Sequence, residues 1–330
     1  MGTYKEIRGT HIVSVTSDPP SPVNGQVWYN STDKAIKGLK SNPAGSWSTA
    51  SNTNTAREKL AGAGLKTAAL AIAGETPPGV LNITESWNGT SWTELNNLNT
   101  ARSELKAGGT YTSALAFGGR TPTNTAITES WNGSNWTEVN DLNTARQRHS
   151  GVGADNTSSI AVGGINPALP AYAIVETWNG SSWTETTDLN SARYDLAASG
   201  IATATLVFGG QSASLGGTSD VTESWNGSAW TEVGDLVGAK KFHGASVKGT
   251  YTAALAFAGS DGTARIALTE TWNGTSWAEV SDMSAARSIL GGAGTNTAGL
   301  AFCGDQGATF SQATEEWVSP ALTTVTFTVS

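Results

Sequence analysis

The chain has 330 residues, 38% of them hydrophobic, and a formal net charge of -8 at pH 7. The sequence contains no run of basic residues, so the chain lacks the clustered positive charge that binds a phosphate backbone. We therefore expect no nucleic-acid partner. No apolar stretch approaches the about 20 residues that span a bilayer, so we expect no membrane insertion. The single cysteine, Cys303, permits no internal disulfide and is expected to be a small buried thiol.

Residues 1–45 are predicted to form an N-terminal attachment segment. Apolar runs at Ile12 to Val15 and at Val27 to Tyr29 predict two short strands on either side of a proline-rich turn. Residues 1–10 lack the apolar region of a secretory signal peptide, so we do not expect export by that route.

A motif of the form Glu-Ser/Thr-Trp-Asn-Gly-x-x-Trp then occurs five times. An unpaired second Trp precedes the first copy, and an unpaired first Trp, Trp317, follows the last. The second Trp recurs at intervals of 44 to 47 residues, a period typical of four-stranded units or helical solenoids. These residues are Trp47, Trp92, Trp136, Trp183, Trp230 and Trp277.

Each repeat predicts four strands, A to D. Strand A begins at the basic residue after the second Trp, and strand B is an alternating run such as Ala114 to Phe117, followed by Gly-Gly. Strand C carries Thr-Glu-Ser-Trp and strand D the second Trp. The period-two alternation argues against helices. Asn-Gly between C and D indicates a tight hairpin, because both residues accept positive φ.

The repeats predict an all-β, six-bladed β-propeller over residues 46–318. In strand B, Leu115 and Phe117 face one side and Ala114 and Ala116 the other, so a bulky face can pack on the small face of the next blade. The last unit lacks a strand D, whereas a spare one lies around Trp47. We therefore predict that this N-terminal strand completes the last blade, with the repeated Trp residues and Trp317 as packing anchors. Residues 319–330 predict a C-terminal β tail, since Leu322 to Val329 alternates.

The Gly-Gly after strand B, the aromatic residues of strands C and D and the following Arg resemble kelch repeats over roughly residues 46–318. Trp87 and its equivalents stand where kelch repeats usually have Tyr, and Lys240 replaces Arg. The opening segments Ile7 to Thr10 and Gly25 to Asn30, followed by such repeats, resemble kelch-type structural proteins of tailed, especially marine, bacteriophages. This resemblance implies a virion protein, in a tail, fibre or capsid surface, whose terminal strands bind other virion proteins.

Two series of charged residues recur in every repeat. The glutamates are expected to accept hydrogen bonds from a neighbouring strand or from the basic series, since a group used six times does one structural job six times. They are Glu85, Glu129, Glu176, Glu223, Glu270 and Glu315. Of the basic residues, Arg102, Arg146, Arg193 and Arg287 are candidates to hold a ligand at the channel mouth, as the resemblance to kelch domains that bind acidic peptides implies. The alternative, which we favour, is an Arg-Glu lattice between blades.

Positions where the repeats disagree are better candidates for recognition. The D-to-A and B-to-C connections lie on one face of a propeller, and there the chain diverges at Gln147, His149, Tyr194, Lys241 and His243. Ring and hydrogen-bonding side chains of this kind suit a surface glycan or another virion protein. Drift at unconstrained positions would produce the same divergence. The Asn-Gly face is predicted to be passive.

The sequence indicates no catalytic residue, metal or cofactor. The three histidines are scattered and form no cluster with ligand spacing. We therefore expect a non-enzymatic protein. The alternatives are a free bacterial lectin or adhesin, and a kelch-fold enzyme, which would need an asymmetric polar cluster at the channel mouth.

Overall fold

The computed structural model describes residues 12–20, 26–42, 44–168, 170–212, 214, 216–307, 309–319 and 321–327. These residues form an all-β structure of 30 strands without a helix. The strands make eight sheets, seven with four strands and one with two. Contacts divide the chain into two compact units, Met1–Ser46 with Ser319–Ser330, and Trp47–Val318.

The first unit is a single sheet built from both ends of the chain. Its strands, in spatial order, are β1 (Val13–Val15), β2 (Val27–Asn30), β3 (Ala35–Asn42) and β30 (Ala321–Phe327). β1 and β2 are parallel, and the other pairs are antiparallel. Three of these strands agree with the sequence prediction and β3 was not predicted. Residues 1–10 and Val329 lie outside the described residues.

The Asp18 carboxylate, which precedes β2 in the chain, is hydrogen bonded to two side chains of that strand. It accepts hydrogen bonds from Trp28 Nε1 at 3.0 Å and Asn30 Nδ2 at 2.8 Å. Together with Lys37, these donors lower the pKa of Asp18 to about 2. The Trp28 side chain is buried.

The second unit contains six four-stranded antiparallel sheets, one for each repeat. They are formed by β5 (Ala61–Leu65), β6 (Ala68–Thr76), β7 (Gly79–Trp87) and β8 (Trp92–Leu95); by β9 (Lys106–Gly109), β10 (Ala114–Phe117), β11 (Thr128–Trp131) and β12 (Trp136–Val139); by β13 (Ser150–Asp155), β14 (Ser158–Val162), β15 (Val175–Trp178) and β16 (Trp183–Glu185); by β17 (Ala197–Ile201), β18 (Ala204–Phe208), β21 (Thr222–Trp225) and β22 (Trp230–Glu232); by β23 (Gly244–Ala245), β24 (Ala254–Phe257), β25 (Thr269–Trp272) and β26 (Trp277–Val280); and by β27 (Gly291–Gly294), β28 (Gly299–Phe302), β29 (Thr314–Val318) and β4 (Ser46–Ala50). A two-stranded hairpin, β19 (Gln211–Ser212) and β20 (Gly217–Thr218), lies in the B-to-C connection of the fourth sheet.

The six sheets follow one another in a closed cycle. The first strand of each sheet, here called its inner strand, contacts the inner strand of the next, and β27 contacts β5. Glycine is required where these strands meet: a Cβ on Gly108 would lie 2.4 Å from the backbone nitrogen of Gly153. As the sequence predicts, β4 is hydrogen bonded beside β29, so the sixth sheet contains strands from both ends of the repeat region.

Neighbouring sheets pack a bulky face against a small one. Leu70 and Ile72 of the first sheet share a buried cluster with Ala114 and Ala116 of the second. Phe117 of the second sheet in turn lies edge-on to Trp183 of the third, with ring centres 4.9 Å apart. The predicted alternation along strand B is thus the feature that joins the sheets.

Two local predictions were wrong. Each inner strand begins four residues after the basic residue rather than at it, because the intervening residues form a turn. The C-to-D connection is a tight turn, as predicted, but Asn88 does not have the positive φ expected of it: its side chain accepts hydrogen bonds from the backbone of Thr90 and Ser91, and only Gly89 of the pair has positive φ. An asparagine side chain that caps the turn in this way explains the recurrent Asn without a type I′ turn.

Candidate functional site

The channel mouth is lined by six residues, each two positions after a basic residue. We call them the mouth residues: Lys59, Glu104, Arg148, Asp195, Phe242 and Ile289. The backbone nitrogen of each donates a hydrogen bond to the carbonyl oxygen of the preceding one, over 2.8 to 3.2 Å, and Lys59 closes the cycle on Ile289. All six have φ between 55° and 58°. This left-handed conformation is uncommon for residues other than glycine and most unusual for a β-branched one.

The six mouth residues have the same backbone conformation but chemically different side chains. The guanidinium of Arg148 lies over the ring of Tyr194, at 4.7 Å, and over the ring of Phe242, at 5.0 Å. It also binds Asp195 with two nitrogens, Nε donating to Oδ1 over 2.7 Å and Nη2 to Oδ2. Burial raises the pKa of Asp195 to about 7, and the Arg148 charge opposes the rise. This is an asymmetric polar cluster, which the repeats alone did not reveal.

A second charged cluster lies on the other side of the mouth, around Glu75. Its carboxylate accepts hydrogen bonds from Lys59 Nζ at 2.6 Å, Ser103 Oγ at 2.7 Å and Arg120 Nη2 at 2.8 Å. Lys59 also lies 3.3 Å from Glu58, whose pKa is raised by burial. These contacts join the B-to-C and D-to-A connections of the first two sheets.

The channel contains two small cavities, one of about 40 Å³ at the level of the mouth residues and one of about 30 Å³ among the inner strands. Lys106 lines both of them. Burial lowers the pKa of the Lys106 amine, and the carboxylates of Asp195 and Glu104 act in the opposite direction. The sequence analysis did not single out this lysine, although its departure from the small residues at equivalent places in the other inner strands was a usable signal.

A strap crosses the opposite end of the channel. It follows the short inner strand β23, and its Lys248 donates from the backbone to the Gly294 carbonyl at 2.8 Å. The Lys248 ammonium donates to the carbonyls of Gly153 and Ala154, at 2.7 and 2.6 Å. Burial lowers the pKa of Lys248 to about 8. The strap therefore links the third, fifth and sixth sheets at this end.

Both predicted histidines are buried between sheets. His149 packs on Phe117, with ring centres 5.6 Å apart, and His243 packs on Phe208 at 5.5 Å. The backbone of Phe117 acts on His149, and that of Phe208 on His243, as a hydrogen-bond partner that raises the imidazole pKa. Burial, followed by nearby cationic charge, holds the pKa of each well below its usual value, so both imidazoles are neutral.

The other predicted recognition residues lie around the mouth but are partly committed to protein contacts. Gln147 is only 7% exposed. Lys241 Nζ donates to the Gln211 side chain at 2.9 Å and lies 5.5 Å from the ring centre of Phe242. Tyr194 is half-buried and covered on one side by Arg148.

The four candidate arginines are fully buried, which places them out of reach of a ligand. Each pairs with a glutamate of strand C, in the pairs Arg102 with Glu129, Arg146 with Glu176, Arg193 with Glu223 and Arg287 with Glu315. Arg57 and Lys240 pair likewise with Glu85 and Glu270. The predicted Arg-Glu pairing therefore exists, but its predicted place between blades was wrong: each pair joins the connection that enters a sheet to strand C of the same sheet. The same glutamates accept backbone hydrogen bonds from the chain entering the sheet, such as Asn99 N to Glu129 at 2.7 Å.

A larger groove lies beside the mouth, on the face of the B-to-C and D-to-A connections. Its volume is about 670 Å³. Residues from three sheets line it: Glu75, Arg120 and Phe310, with Ala101 and a proline-rich wall of Pro77, Pro78 and Pro122. The groove lies on the face that was predicted to bind a partner, but its residues were not among the individual candidate binding residues.

The Asn-Gly face is less uniform than predicted. The A-to-B turns on this face expose large apolar side chains, namely Leu65, Tyr111, Ile201 and Tyr251. They are spread over four sheets, so they make separate apolar points rather than one patch.

Within the described ranges no group of three or more His, Cys, Asp or Glu side chains could hold a metal ion. The same residues include no helix with the length and apolarity to cross a membrane. Cys303 is buried, 3.3 Å from the Thr53 hydroxyl, and burial raises the pKa of its thiol.

No protein-family model matches the chain, and no curated protein matches it. Among solved structures, one described as "Structure of YjhT" is similar with a TM-score of 0.66 and 11% sequence identity. The match covers 83% of this chain and 99% of that one. At this identity the likeness concerns the fold alone, and together with the sheet topology it supports an all-β, β-propeller-like structure.

Proposed function

We propose that the chain is a six-bladed, kelch-type β-propeller of a tailed-phage virion, non-enzymatic, whose groove-bearing face binds a host-surface glycan or a neighbouring virion protein. The observation that carries the binding role is the groove of about 670 Å³ beside the channel mouth. Ligand sites commonly enclose about 300 to 1,000 Å³ and combine apolar walls with a few fixed polar groups.

Six blades are supported by the closed cycle of inner strands and by the six mouth residues bonded head to tail. The remaining two sheets are the terminal sheet and the hairpin β19–β20, neither of which belongs to the repeat. A six-membered ring is therefore compatible with a total of eight sheets.

The chemistry of the groove supports a sugar or a protein side chain as ligand. Phe310 offers an aromatic ring, and the Glu75 carboxylate is held by three donors, one of them Arg120. An aromatic face suits the apolar side of a pyranose, and fixed charges suit its hydroxyl groups. Preorganised polar groups lose little freedom when a ligand binds.

The terminal sheet supports attachment to other virion proteins. Among the residues that the structure describes, its strand β1 pairs with β2 alone, and the side chains of Ile12, just before β1, and of Val13, in β1, are 50% and 60% exposed. An exposed sheet edge with apolar side chains can pair with a strand of another chain.

The test uses the full chain and two variants with unchanged thermal unfolding. We expect Phe310→Ala with Arg120→Ala to abolish binding to host cells, or to purified particles lacking this protein. Tyr251→Ala, which removes an exposed ring on the Asn-Gly face, should retain it. Retained binding by the first variant with loss by the second would overturn the proposal and assign binding to the Asn-Gly face.

The two alternatives give different results in purification. A virion part co-sediments with particles, whereas a free lectin or adhesin is recovered apart from them and binds glycan alone. The enzyme alternative gains one specific observation, a buried Asp195 whose pKa is about 7, suited to proton transfer near neutral pH. A turnover activity that Asp195→Asn abolishes would favour it.

A further inference from the structure

Lys106 differs from the residues at the same position of the other five inner strands. These are all small: Ala61, Ser150, Ala197, Gly244 and Gly291. Lys106 therefore places one long cationic side chain in a channel that the other inner strands leave open, and it lines both channel cavities.

The ammonium of Lys106 has no hydrogen-bond acceptor among the residues that the structure describes. The nearby carboxylates are engaged elsewhere, since Asp195 is bound by Arg148 and Glu104 lies 3.8 Å from Lys59. An anion that binds beside this ammonium would make a charge-assisted hydrogen bond with it.

Other polar groups line the larger channel cavity. His149 and His243 are buried and neutral, and the backbone of Phe117 and that of Phe208, respectively, act on them as hydrogen-bond partners that raise the imidazole pKa. Glu104 Oε2 is a buried acceptor without a hydrogen bond, 3.8 Å from Arg120 Nε. The cavity thus offers a cation for a carboxylate and one acceptor for a hydroxyl group.

The size and the charge of the cavity restrict the ligand further. Because a water needs at least about 10 to 15 Å³, a cavity of about 40 Å³ holds roughly three waters or one carboxylate-sized group. The strap around Lys248 crosses the opposite end, so entry is from the mouth. The residues that line this cavity include three cations, Lys59, Lys106 and Arg148, and two carboxylates. Cationic groups are therefore in excess in the cavity, although the whole chain has a net charge of -8.

We propose that the channel binds a hydroxy-carboxylate, with Lys106 holding the carboxylate and Glu104 accepting a hydrogen bond from the neighbouring hydroxyl. The ligand is a small free hydroxy acid or the acidic end of a larger molecule at the mouth. This inference goes beyond the proposed function, because the channel is distinct from the groove around Phe310.

The probes are glycolate, acetate, ethylene glycol and galacturonate, titrated calorimetrically into the full chain. We expect glycolate to bind more tightly than acetate, and ethylene glycol not to bind. Galacturonate, whose ring exceeds the cavity, reports whether the acidic end of a larger molecule is accepted. Binding of glycolate and galacturonate indicates such a ligand, and binding of glycolate alone indicates a free hydroxy acid.

Three variants test which residues bind the ligand. Lys106→Met should weaken glycolate binding by at least about tenfold, and it should fold, because small residues occupy the equivalent positions. Glu104→Met removes the acceptor, so it should bind acetate as before but lose the preference for glycolate. Lys66→Met, which removes an ammonium near Glu316 on the Asn-Gly face, is the matched control and should bind normally.

Absence of saturable glycolate binding, or equal binding by the wild type and Lys106→Met, would overturn the inference. A second readout is independent of affinity: the pKa of Lys106, followed by pH-dependent amine labelling and mass spectrometry, should rise with glycolate and not with ethylene glycol. Cell or particle attachment through the groove would persist in Lys106→Met, so failure here is distinguishable from failure of the proposed function.

Discussion

Trp136 Nε1 donates a hydrogen bond to Thr84 Oγ1, 3.0 Å away, across the boundary between the second sheet and the first. Four other sheet boundaries have the same bond, in the pairs Trp47 with Thr269, Trp92 with Thr314, Trp183 with Thr128, and Trp277 with Thr222. At the remaining boundary Val175 replaces the threonine, and Trp230 donates instead to the Thr187 carbonyl at 3.1 Å. The second Trp of each motif thus fixes its sheet to the preceding one.

Replacing Trp136 by alanine should therefore destabilise the fold. Its side chain is 5% exposed, and the substitution removes both the ring and the inter-sheet bond. We expect the free energy of unfolding to fall by about 3–5 kcal/mol, measured by denaturant unfolding. A loss below about 1 kcal/mol, with water-like fluorescence of this residue in the wild type, would show that the ring does not pack between sheets.

The architecture was predictable because each structural feature recurs in several repeats of the sequence. The spacing of the Trp residues, the alternation of Leu115 with small residues, and the orphan strand around Trp47 each predicted an observed element. The binding residues were not predictable in this way. Whether His243 or Tyr194 is accessible depends on Phe208 and Arg148, 35 and 46 residues earlier in the chain. The left-handed turn that aligns Lys59 with Ile289 accepts unrelated side chains, so it leaves no motif.

Removal of β4 should open the ring. A chain of residues 53–318 lacks the strand beside β29, whereas a chain of residues 46–318 lacks only the terminal sheet. Because an unpaired edge strand favours association with other chains, we expect the shorter chain to melt at a much lower temperature or to aggregate. The longer chain is the control and should remain monomeric by light scattering. Equal melting of the two would mean that β4 does not stabilise the sixth sheet.

Gly118 should be indispensable only while histidine occupies position 149. A Cβ on Gly118 would lie 2.5 Å from His149 Cε1. Two equivalent places carry alanine opposite leucine, in the pairs Ala73 with Leu105 and Ala258 with Leu290, whereas Gly163 lies opposite Leu196. Gly118→Ala should lower the free energy of unfolding by about 1–3 kcal/mol through overcrowding.

The double variant Gly118→Ala with His149→Leu recreates the pair used elsewhere in the chain. We expect it to recover at least half of the stability lost in Gly118→Ala, as a double-mutant cycle would report. Additive losses would show that the loss at Gly118 comes from the backbone and not from His149.

Asp195 should make stability depend on pH in acid solution. Because burial raises its pKa to about 7 from the ordinary value of 3.8, the folded chain keeps this proton to higher pH than the unfolded chain. Its stabilising contribution is therefore complete below about pH 4 and is lost as pH rises towards 7. Asp195→Asn has no such proton and should lack this dependence.

The measurement is the difference in free energy of unfolding between the wild type and Asp195→Asn, taken from pH 4 to pH 7 in one buffer series. Taking this difference cancels the contributions of the other titrating groups. The difference in free energy of unfolding should fall by up to about 1.4 kcal/mol per pH unit as the pH rises. The matched control is Asp261→Asn, at an exposed carboxylate whose pKa is lowered by hydrogen bonds from the backbone of Ala264 and Thr263. Its difference should not fall over this range. A difference that rises with pH for Asp195 would mean that the Arg148 guanidinium outweighs burial and holds the carboxylate ionised in acid.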